Sequence, residues 1–186
     1  GLSVHECVEE VGGLIKAGKI RAWGVLNWEP AAIAEAARIA DDTGAPSPCA
    51  AQLPYSLVAR SVVENPEMVA ALNAAGMSVV ASYTLAGGAL TGKYDDPGTT
   101  GRINARIDGR DYSEALAAGS RLKALAVEID AKPSALAIAF ALSNPLVATV
   151  LFGATSPEQI ADNAGAIDLK ERLDEPTIER LRAIGS

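Results

Sequence analysis

Hydrophobic residues recur along most of the chain with one of two spacings. Helical spacing, three or four positions apart, first occurs in the N-terminal segment, at Val8, Val11, Leu14 and Ile15. Ser3, followed three residues later by Glu6, is typical of a capping box, and Gly18 is typical of a helix end. The pattern therefore predicts a helix that begins after Ser3 and ends before Gly18.

Further along, short continuous apolar runs alternate with helical segments. The runs predict strands at residues 20–26, 49–53, 78–82 and 148–152. The helical segments lie at residues 31–43, 65–76, 113–130 and 133–143, from about residue 156 onward, and at 176–184, whereas residues 84–111 show no sustained periodicity. Buried strands that each precede a helix predict an α/β fold with a parallel sheet covered on both faces.

Length, composition and charge narrow the class of protein. A chain of 186 residues that is 49% hydrophobic can bury one sizeable core, so we expect a single domain over residues 1–186. The formal net charge of −7 disfavours a nucleic-acid or anionic-membrane partner, because both require clustered Lys and Arg. The sequence also lacks a run of 18 apolar residues, so no membrane span is predicted.

The spacing of the two cysteines indicates the redox state of the compartment in which the protein works. Cys7 and Cys49 lie far apart in the sequence and outside any CxxC spacing. We expect two reduced thiols in a cytoplasmic protein, and a disulfide or redox pair is the alternative.

In parallel α/β folds the working residues lie at the carboxyl ends of the strands. Here those positions hold Asn27, Gln52, Ser82 with Tyr83, and Gly153. None is Asp, Glu, His or Cys, so neither the paired carboxylates of a glycosidase nor a metal-ligand cluster is predicted. Tyr83 is the only one of these side chains suited to donate a proton in catalysis, but a lone tyrosine is more often a packing or stacking residue. We therefore predict no catalytic residue and no metal site in this chain.

Two segments have the composition of an anion-binding site. Residues 85–93 follow the third strand, and their glycines allow a ligand to approach the backbone closely while Lys93 adds charge. The same long loop contains Arg102, Arg106 and Arg110. A loop of this length without periodicity is usually a lid or binding loop. The alternative is a solvated loop whose basic residues balance nearby aspartates.

The second segment, residues 153–159, leads from the fourth strand into a helix. Ser156 is a good N-cap residue, and Gln159 at N3 would complete a capping box. Free N–H groups at such a helix start favour an anion, and Asp162 and Asn163 lie one turn further on. The alternative is a well-capped helix without a ligand. The two segments together match the phosphate-site layout of (β/α)8 barrels.

Three motifs resemble the aldo-keto reductase family, in order and over essentially the whole chain. Residues 16–27 (KAGKIRAWGVLN) resemble the segment that usually ends in G-V-S-N. Residues 83–94 (YTLAGGALTGKY) resemble the S-P-L-x-x-G-x-L-T-G-K-Y loop, and residues 152–166 (FGATSPEQIADNAGA) resemble the G-A-x-x-x-E-Q-x-x-E-N-x-x-A cofactor segment. The last motif is most similar to the branch that includes potassium-channel β-subunits.

The resemblance implies a (β/α)8 TIM barrel of which this chain holds strands 5–8, and NADP(H) as cofactor. Asn27 and Gln52 would bind the nicotinamide carboxamide. Ser82 aligns with the aromatic residue that stacks on the nicotinamide, with Tyr83 one place later. The remaining residues follow the dinucleotide: Thr84, Leu85, Ala86, Gly87, Lys93 and Arg102 would cover the pyrophosphate, and Gly153, Thr155, Gln159, Asp162 and Asn163 would hold the adenosine end with its 2′-phosphate.

The chain departs from the family pattern at three positions. Leu26 replaces a serine that donates a hydrogen bond to the carboxamide, and Asp162 replaces a glutamate. Tyr83 stands one residue after the usual aromatic position, and a one-residue slip in a strand turns a side chain to the opposite face unless the strand end bulges. The last motif also lacks a Lys/Arg pair for the 2′-phosphate, so NAD stays open as the alternative cofactor.

The family's catalytic Asp, Tyr, Lys and His come from the first four barrel strands, which this chain does not contain. Because the chain begins at Gly1 and four open strands would expose apolar edges, we expect a fragment of a larger reductase. The expected function is NADP(H)-dependent reduction of small aldehydes and ketones, completed by an N-terminal half barrel. The alternative is a non-catalytic NADP(H)-binding half barrel that acts as a sensor through self-association or with a partner.

Overall fold

The computed structural model describes residues 1–96, 98–99, 101, 103 and 111–185. Four strands form one parallel sheet in the order β1-β2-β3-β4. Their bounds are Gly24–Leu26 for β1, Ala50–Pro54 for β2, Ser78–Ser82 for β3 and Val147–Val150 for β4. The α/β fold with a parallel sheet, which the alternation of strands and helices predicted, is confirmed.

Helices precede and follow the strands. In chain order they are α1 (Val4–Lys16), α2 (Pro30–Thr43), α3 (Ser61–Glu64), α4 (Pro66–Ala75), α5 (Ser113–Glu128), α6 (Pro133–Ser143), α7 (Pro157–Ala164), α8 (Ala166–Lys170) and α9 (Glu175–Ile184). Two short 3-10 helices, η1 (Ala86–Thr91) and η2 (Lys93–Asp95), lie in the segment without periodicity. Within the described ranges, no helix is long and apolar enough to cross a membrane.

Most predicted bounds are close to the observed ones, and the edge strands differ most. β3 and α6 match their predicted residues. β1 is three residues long, not seven, because Arg21 and Ala22 are exposed and the register with β2 starts only where Gly24 pairs with Ala50. β4 ends before Leu151, which is 46% exposed. The pattern missed α3 and α8, which at four and five residues are too short to show a helical period.

The chain divides into two compact units, and the single domain expected from length stays a prediction. Unit 1 comprises Gly1–Leu53 and Ser61–Val80. A cluster of buried residues on α1 and α2 forms part of its core: Val8, Ala36, Ile39 and Ala40. Trp23 and Trp28 pack against this cluster and meet edge to face, with ring centroids 6.4 Å apart. The Ser3–Glu6 capping box at the start of α1 is present in both directions, as predicted.

Unit 2 comprises residues 54–60 and 81–186. Its central element is α6, in which every residue from Ala135 to Ala141 is buried. Helices α5 and α8 and strand β4 pack against α6. A helix buried on all sides needs no polar face, which explains the almost purely apolar sequence of α6. Unit 2 also carries both predicted anion-binding segments.

Candidate functional site

In unit 1, two of the predicted site residues lie side by side at the carboxyl ends of their strands. Asn27 follows β1 directly, and its backbone N–H donates to the carbonyl oxygen of Gln52 on β2 at 3.0 Å. Asn27 has a left-handed backbone (φ 54°), an uncommon conformation that asparagine tolerates well. Its side chain is exposed, whereas Gln52 is half-buried. Two side-chain amides at adjacent strand ends can together donate to and accept from a planar amide of a ligand.

In unit 2, the backbone leaves the strand geometry immediately after β3. Tyr83 has φ 60° and Ala86 has φ 47°, and Gly87 and Gly88 follow at φ 67° and 96°. A left-handed backbone at a residue with a side chain costs about 1–2 kcal/mol and is concentrated at functional sites. Because β3 ends at Ser82, the alternation of side chains between the two faces of the sheet does not extend to Tyr83. Its position one residue after the usual aromatic position therefore does not dictate the face to which its side chain points.

Two backbone N–H groups of this loop have no backbone partner among the described residues. The N–H groups of Ala86 and Gly88 donate to the carbonyl oxygens of Tyr83 and Leu85 at 2.9 and 2.8 Å. Within the described residues, the N–H groups of Leu85 and Gly87 make no backbone hydrogen bond. A turn with free N–H groups at glycine-rich positions can bind an anion through its backbone.

Lys93 brings a positive charge to the loop. A Cβ atom placed on Gly88 would lie 3.7 Å from Lys93 Nζ, so the ammonium group lies beside that glycine. The same ammonium stands 4.8 Å from the centre of the Tyr94 ring, in a cation–π contact. Lys93 is exposed and can reach a ligand. Arg102, the other predicted basic residue, lies outside the described residues, as do Arg106 and Arg110.

Two residues of the loop are too buried for side-chain contact with a ligand. Thr84 and Ala86 are each 1% exposed. The Thr84 hydroxyl donates to the carbonyl oxygen of Tyr55 at 3.1 Å. Gly87 lies so close to Ile103 and Tyr112 that a Cβ atom there would be 3.2 Å from both side chains. Any contribution of these three predicted residues to binding therefore comes from their backbone.

The start of α7 differs in one detail from the predicted capping box. The Ser156 side chain accepts a hydrogen bond from Gln159 N at 3.3 Å, as predicted. The Gln159 side chain reaches one residue further back than expected, and its Oε1 accepts from Thr155 N at 2.9 Å. The second hydrogen bond of the capping box therefore involves the N–H of Thr155 and not that of Ser156. The Thr155 hydroxyl also donates to Gln159 Oε1, at 3.3 Å, and stabilises this arrangement. Because its Oε1 already accepts hydrogen bonds from Thr155, Gln159 can contact a ligand through its side-chain N–H donors.

Charge at this helix start is negative. A hydrogen bond from the Ser156 side chain lowers the pKa of the exposed Glu158 carboxyl. Glu158 is therefore ionised at neutral pH, and its charge is stabilised by the helix N-terminus that a phosphate would also use. Gly153 is exposed, with space around its Cα, and Thr155 is exposed as well.

The last two predicted residues have different environments. Asp162 is exposed and can reach a ligand, whereas Asn163 is 4% exposed. A buried amide on the inner face of α7 acts in packing as much as in binding. Among the described residues, no group of three or more His, Cys, Asp or Glu side chains could hold a metal ion.

Sequence reasoning missed two residues that contact residues 84–93, which we call the glycine loop. Tyr55 is fully buried after β2 and receives the hydrogen bond from Thr84. Gly119 lies within α5, where a Cβ atom would be 2.2 Å from the carbonyl oxygen of Ala89 in η1. A glycine in the interior of a long helix is itself a signal of close packing, so Gly119 could have been found. Nothing in the local pattern around Tyr55 singles it out.

Comparison with known proteins supports the predicted family. A profile of the Aldo/keto reductase family matches residues 2–186. A protein of Oryza sativa subsp. japonica described as a probable voltage-gated potassium channel subunit beta is 30% identical over 192 residues, which cover 97% of this chain and 57% of that protein. An aldo-keto reductase of Babesia bovis is 33% identical over 176 residues, which cover 86% of this chain and 61% of the relative.

"Protein tas" of Escherichia coli (strain K12) is 28% identical over 190 residues, which cover 98% of this chain and 53% of that protein. The chain thus spans little more than half the length of these relatives. The similarity to a channel β-subunit confirms the branch that the last motif indicated. On the match over residues 2–186, the chain belongs to the aldo/keto reductase family.

Proposed function

We propose that this chain supplies the cofactor-binding part of an NADP(H)-dependent oxidoreductase that reduces small aldehydes and ketones to alcohols. The observation that carries the proposal is the loop after β3. The residues from Ala86 to Gly88 are left-handed, the N–H groups of Leu85 and Gly87 make no backbone hydrogen bond to a described residue, and the Lys93 ammonium lies beside Gly88. This combination of backbone donors and one cation fits a pyrophosphate.

The proposed roles follow the order of the strands. In unit 1, Asn27 and Gln52 bind the nicotinamide carboxamide through their side-chain amides. In unit 2, Tyr83 contacts the nicotinamide, and the backbone of residues 84–87 with Lys93 binds the pyrophosphate. Arg102 is proposed for the same group on the basis of the family motif alone.

The adenosine end is proposed to lie at the start of α7. Its residues are Gly153, Thr155, Gln159, Asp162 and Asn163. Gln159 suits this role because its Oε1 accepts hydrogen bonds from Thr155, so that its side-chain N–H donors point away from Thr155 and can donate to a ligand. The charge on Glu158 opposes a 2′-phosphate, so the discrimination between NADPH and NADH is expected to be small.

The chemistry of transfer is a hydride passed between the nicotinamide and a carbonyl carbon, and it belongs to the cofactor. The chain's own residues bind and orient that cofactor. We propose that the proton donor and its partners belong to a preceding half of the barrel, so that β1–β4 are barrel strands 5–8.

The sheet edges support this completion of the barrel. Within the described residues β1 and β4 are the edge strands. Leu26 on β1 is 58% exposed. Leu151 and Phe152, which directly follow β4, are 46% and 39% exposed. Apolar side chains at unpaired strand edges favour a further strand as neighbour. We propose a missing N-terminal half barrel as that neighbour, with self-association as the alternative.

We propose a cytoplasmic location, on the cysteine spacing in the sequence alone.

Titration of the full-length protein with NADPH, followed by nicotinamide fluorescence, tests the site. Lys93→Met should raise Kd at least tenfold, because a hydrogen bond to a charged group contributes about 1.5–3 kcal/mol. Lys19→Met, at an exposed lysine of unit 1, is the matched control and should bind as wild type does. Wild-type protein that fails to bind NADPH or NADH at millimolar concentration would refute the proposal.

A non-catalytic NADP(H)-binding module is the second candidate. It is favoured by the absence of any acid or base other than Tyr83 at the four described strand ends. The full-length protein distinguishes the two, since reduction of a simple aldehyde with consumption of NADPH supports the enzyme. Tight binding without turnover across a panel of aldehydes and ketones supports the module.

A further inference from the structure

The backbone of Tyr55 makes hydrogen bonds to the two residues that flank Tyr83. The N–H of Tyr55 donates to the carbonyl oxygen of Ser82 at 3.0 Å. The carbonyl oxygen of Tyr55 accepts from the Thr84 hydroxyl at 3.1 Å. The two partners are the residues immediately before and after Tyr83. We refer to these two hydrogen bonds as the Tyr55 clamp.

The residue inside the clamp has a strained backbone. Tyr83 adopts φ 60°, and Ala86, three residues on, adopts φ 47°. Such conformations persist only where surrounding contacts impose them. Because an N–H and a carbonyl of one residue fix both neighbours of Tyr83, the clamp imposes the left-handed turn at that position. The direction of the Tyr83 side chain depends on this turn.

Tyr55 is itself held rigidly. Its side chain is 1% exposed and stacks on Phe140 of α6, with ring centroids 6.3 Å apart and an interplanar angle of 17°. Asn144, just after α6, donates from Nδ2 to Tyr55 Oη at 3.1 Å. The clamp therefore connects the buried central helix of unit 2 to the start of the glycine loop.

Thr84 contributes to the clamp through its hydroxyl alone. Its side chain is 1% exposed, so it has no access to a ligand. A valine at this position would keep the shape and remove the donor, whereas a serine would keep the donor and remove one methyl group. Comparing the valine and serine variants therefore separates the effect of the hydrogen bond from the effect of packing.

We propose that Thr84 and Tyr55 are positioning residues for cofactor binding, which act by holding Tyr83 and the loop that follows it in their left-handed conformation. The inference rests on the proposed function, because it assumes that this loop binds the nicotinamide and pyrophosphate part of a dinucleotide. Tyr55 is assigned no contact with the cofactor, and Thr84 is assigned one through its backbone only, not through its side chain.

The test compares two ligands in the full-length protein. NADPH would contact both the glycine loop and α7, whereas adenosine 2′,5′-bisphosphate lacks the nicotinamide and would depend on α7. Thr84→Val should raise the Kd for NADPH about fivefold to tenfold, as expected for loss of one hydrogen bond that orders the loop. The Kd for the bisphosphate should change less than about twofold, and Thr84→Ser should restore NADPH binding.

Thr43→Val is the matched control, because Thr43 Oγ1 also donates to a backbone carbonyl, that of Ile39 at 2.7 Å, but in unit 1. It should change neither Kd. Equal weakening of both ligands by Thr84→Val, or no weakening of NADPH, would overturn the inference. If Thr84→Val does not fold, Thr84→Ala replaces it, since alanine also lacks the hydroxyl that donates to the carbonyl oxygen of Tyr55; a Kd for NADPH unchanged from wild type then overturns the inference, and a rise of about threefold supports it.

Failure of the proposed function gives a different result. In that case the wild-type protein binds neither ligand, and the variants are not needed to reach that conclusion. Wild-type binding of both ligands together with an unaffected Thr84→Val variant refutes the positioning role alone.

Discussion

Replacing Gly119 by alanine separates helix propensity from packing in unit 2. Gly119 is a buried residue in the interior of α5. Alanine is favoured over glycine in a helix by about 1 kcal/mol, so propensity alone predicts a gain in stability. An added Cβ atom, however, would lie 2.2 Å from the carbonyl oxygen of Ala89 and 3.1 Å from its carbonyl carbon. These are backbone atoms of η1, which cannot rotate away as a side chain can.

The magnitude follows from the displacement that this contact requires. Real Cβ atoms essentially never approach closer than 3.0 Å, so α5 and η1 must separate by roughly 0.8 Å. Overpacking of a well-packed interior costs about 1–3 kcal/mol, and a backbone contact belongs at the upper end of that range. After the gain in propensity, we expect a net loss of about 2 kcal/mol in the free energy of unfolding.

Chemical denaturation followed by far-UV circular dichroism measures this loss. Gly13→Ala is the control, because Gly13 lies within α1 and a Cβ atom there would have nothing within 4 Å. That variant should gain about 0.5–1 kcal/mol. If Gly119→Ala is stabilised as much as Gly13→Ala, the close contact of α5 with η1 does not exist and the reasoning is refuted.

Three further perturbations have defined outcomes. Tyr55→Phe loses the hydroxyl that accepts from Asn144 and should cost about 1 kcal/mol in denaturation experiments, with an unchanged circular dichroism spectrum. Leu181→Ala, at a side chain with no exposed surface in α9, should cost about 2–5 kcal/mol, and a loss below 1 kcal/mol would contradict its burial. The backbone N–H of Ser3 lowers the pKa of Glu6 below its ordinary 4.5, so the stabilisation from Glu6 is present above that value and lost as pH falls through the lowered one. Glu6→Gln should therefore flatten the fall in melting temperature between neutral and strongly acidic pH, and parallel curves for variant and wild type would exclude this contribution.

Local patterns predicted the elements well where one residue type decides the structure. The Ser3 and Ser156 caps follow from hydroxyls that satisfy free N–H groups, and Gly18, just after α1, adopts the left-handed conformation that glycine allows. In each case the partners lie within four residues. Such contacts are visible in the sequence because no distant segment is needed to form them.

Features that depend on distant contacts were not predictable. The left-handed residue Tyr83 lies between two residues that bond to the backbone of Tyr55, 28 positions earlier in the sequence. The short length of β1 depends on the register with Ala50 of β2. The shift of Gln159 from Ser156 to Thr155 is a local contact that was also not predicted, because hydrophobic periodicity carries no information about which of two neighbouring N–H groups is better placed.

The placement of the aromatic residues has a consequence for spectroscopy. The chain contains two tryptophans, and both belong to the edge-to-face pair of unit 1. Indole emission therefore reports the loosening of unit 1 alone, whereas ellipticity averages over the helices of both units. Transitions that coincide by the two signals would mean that the units unfold together, and an earlier change in emission would identify unit 1 as the first to open.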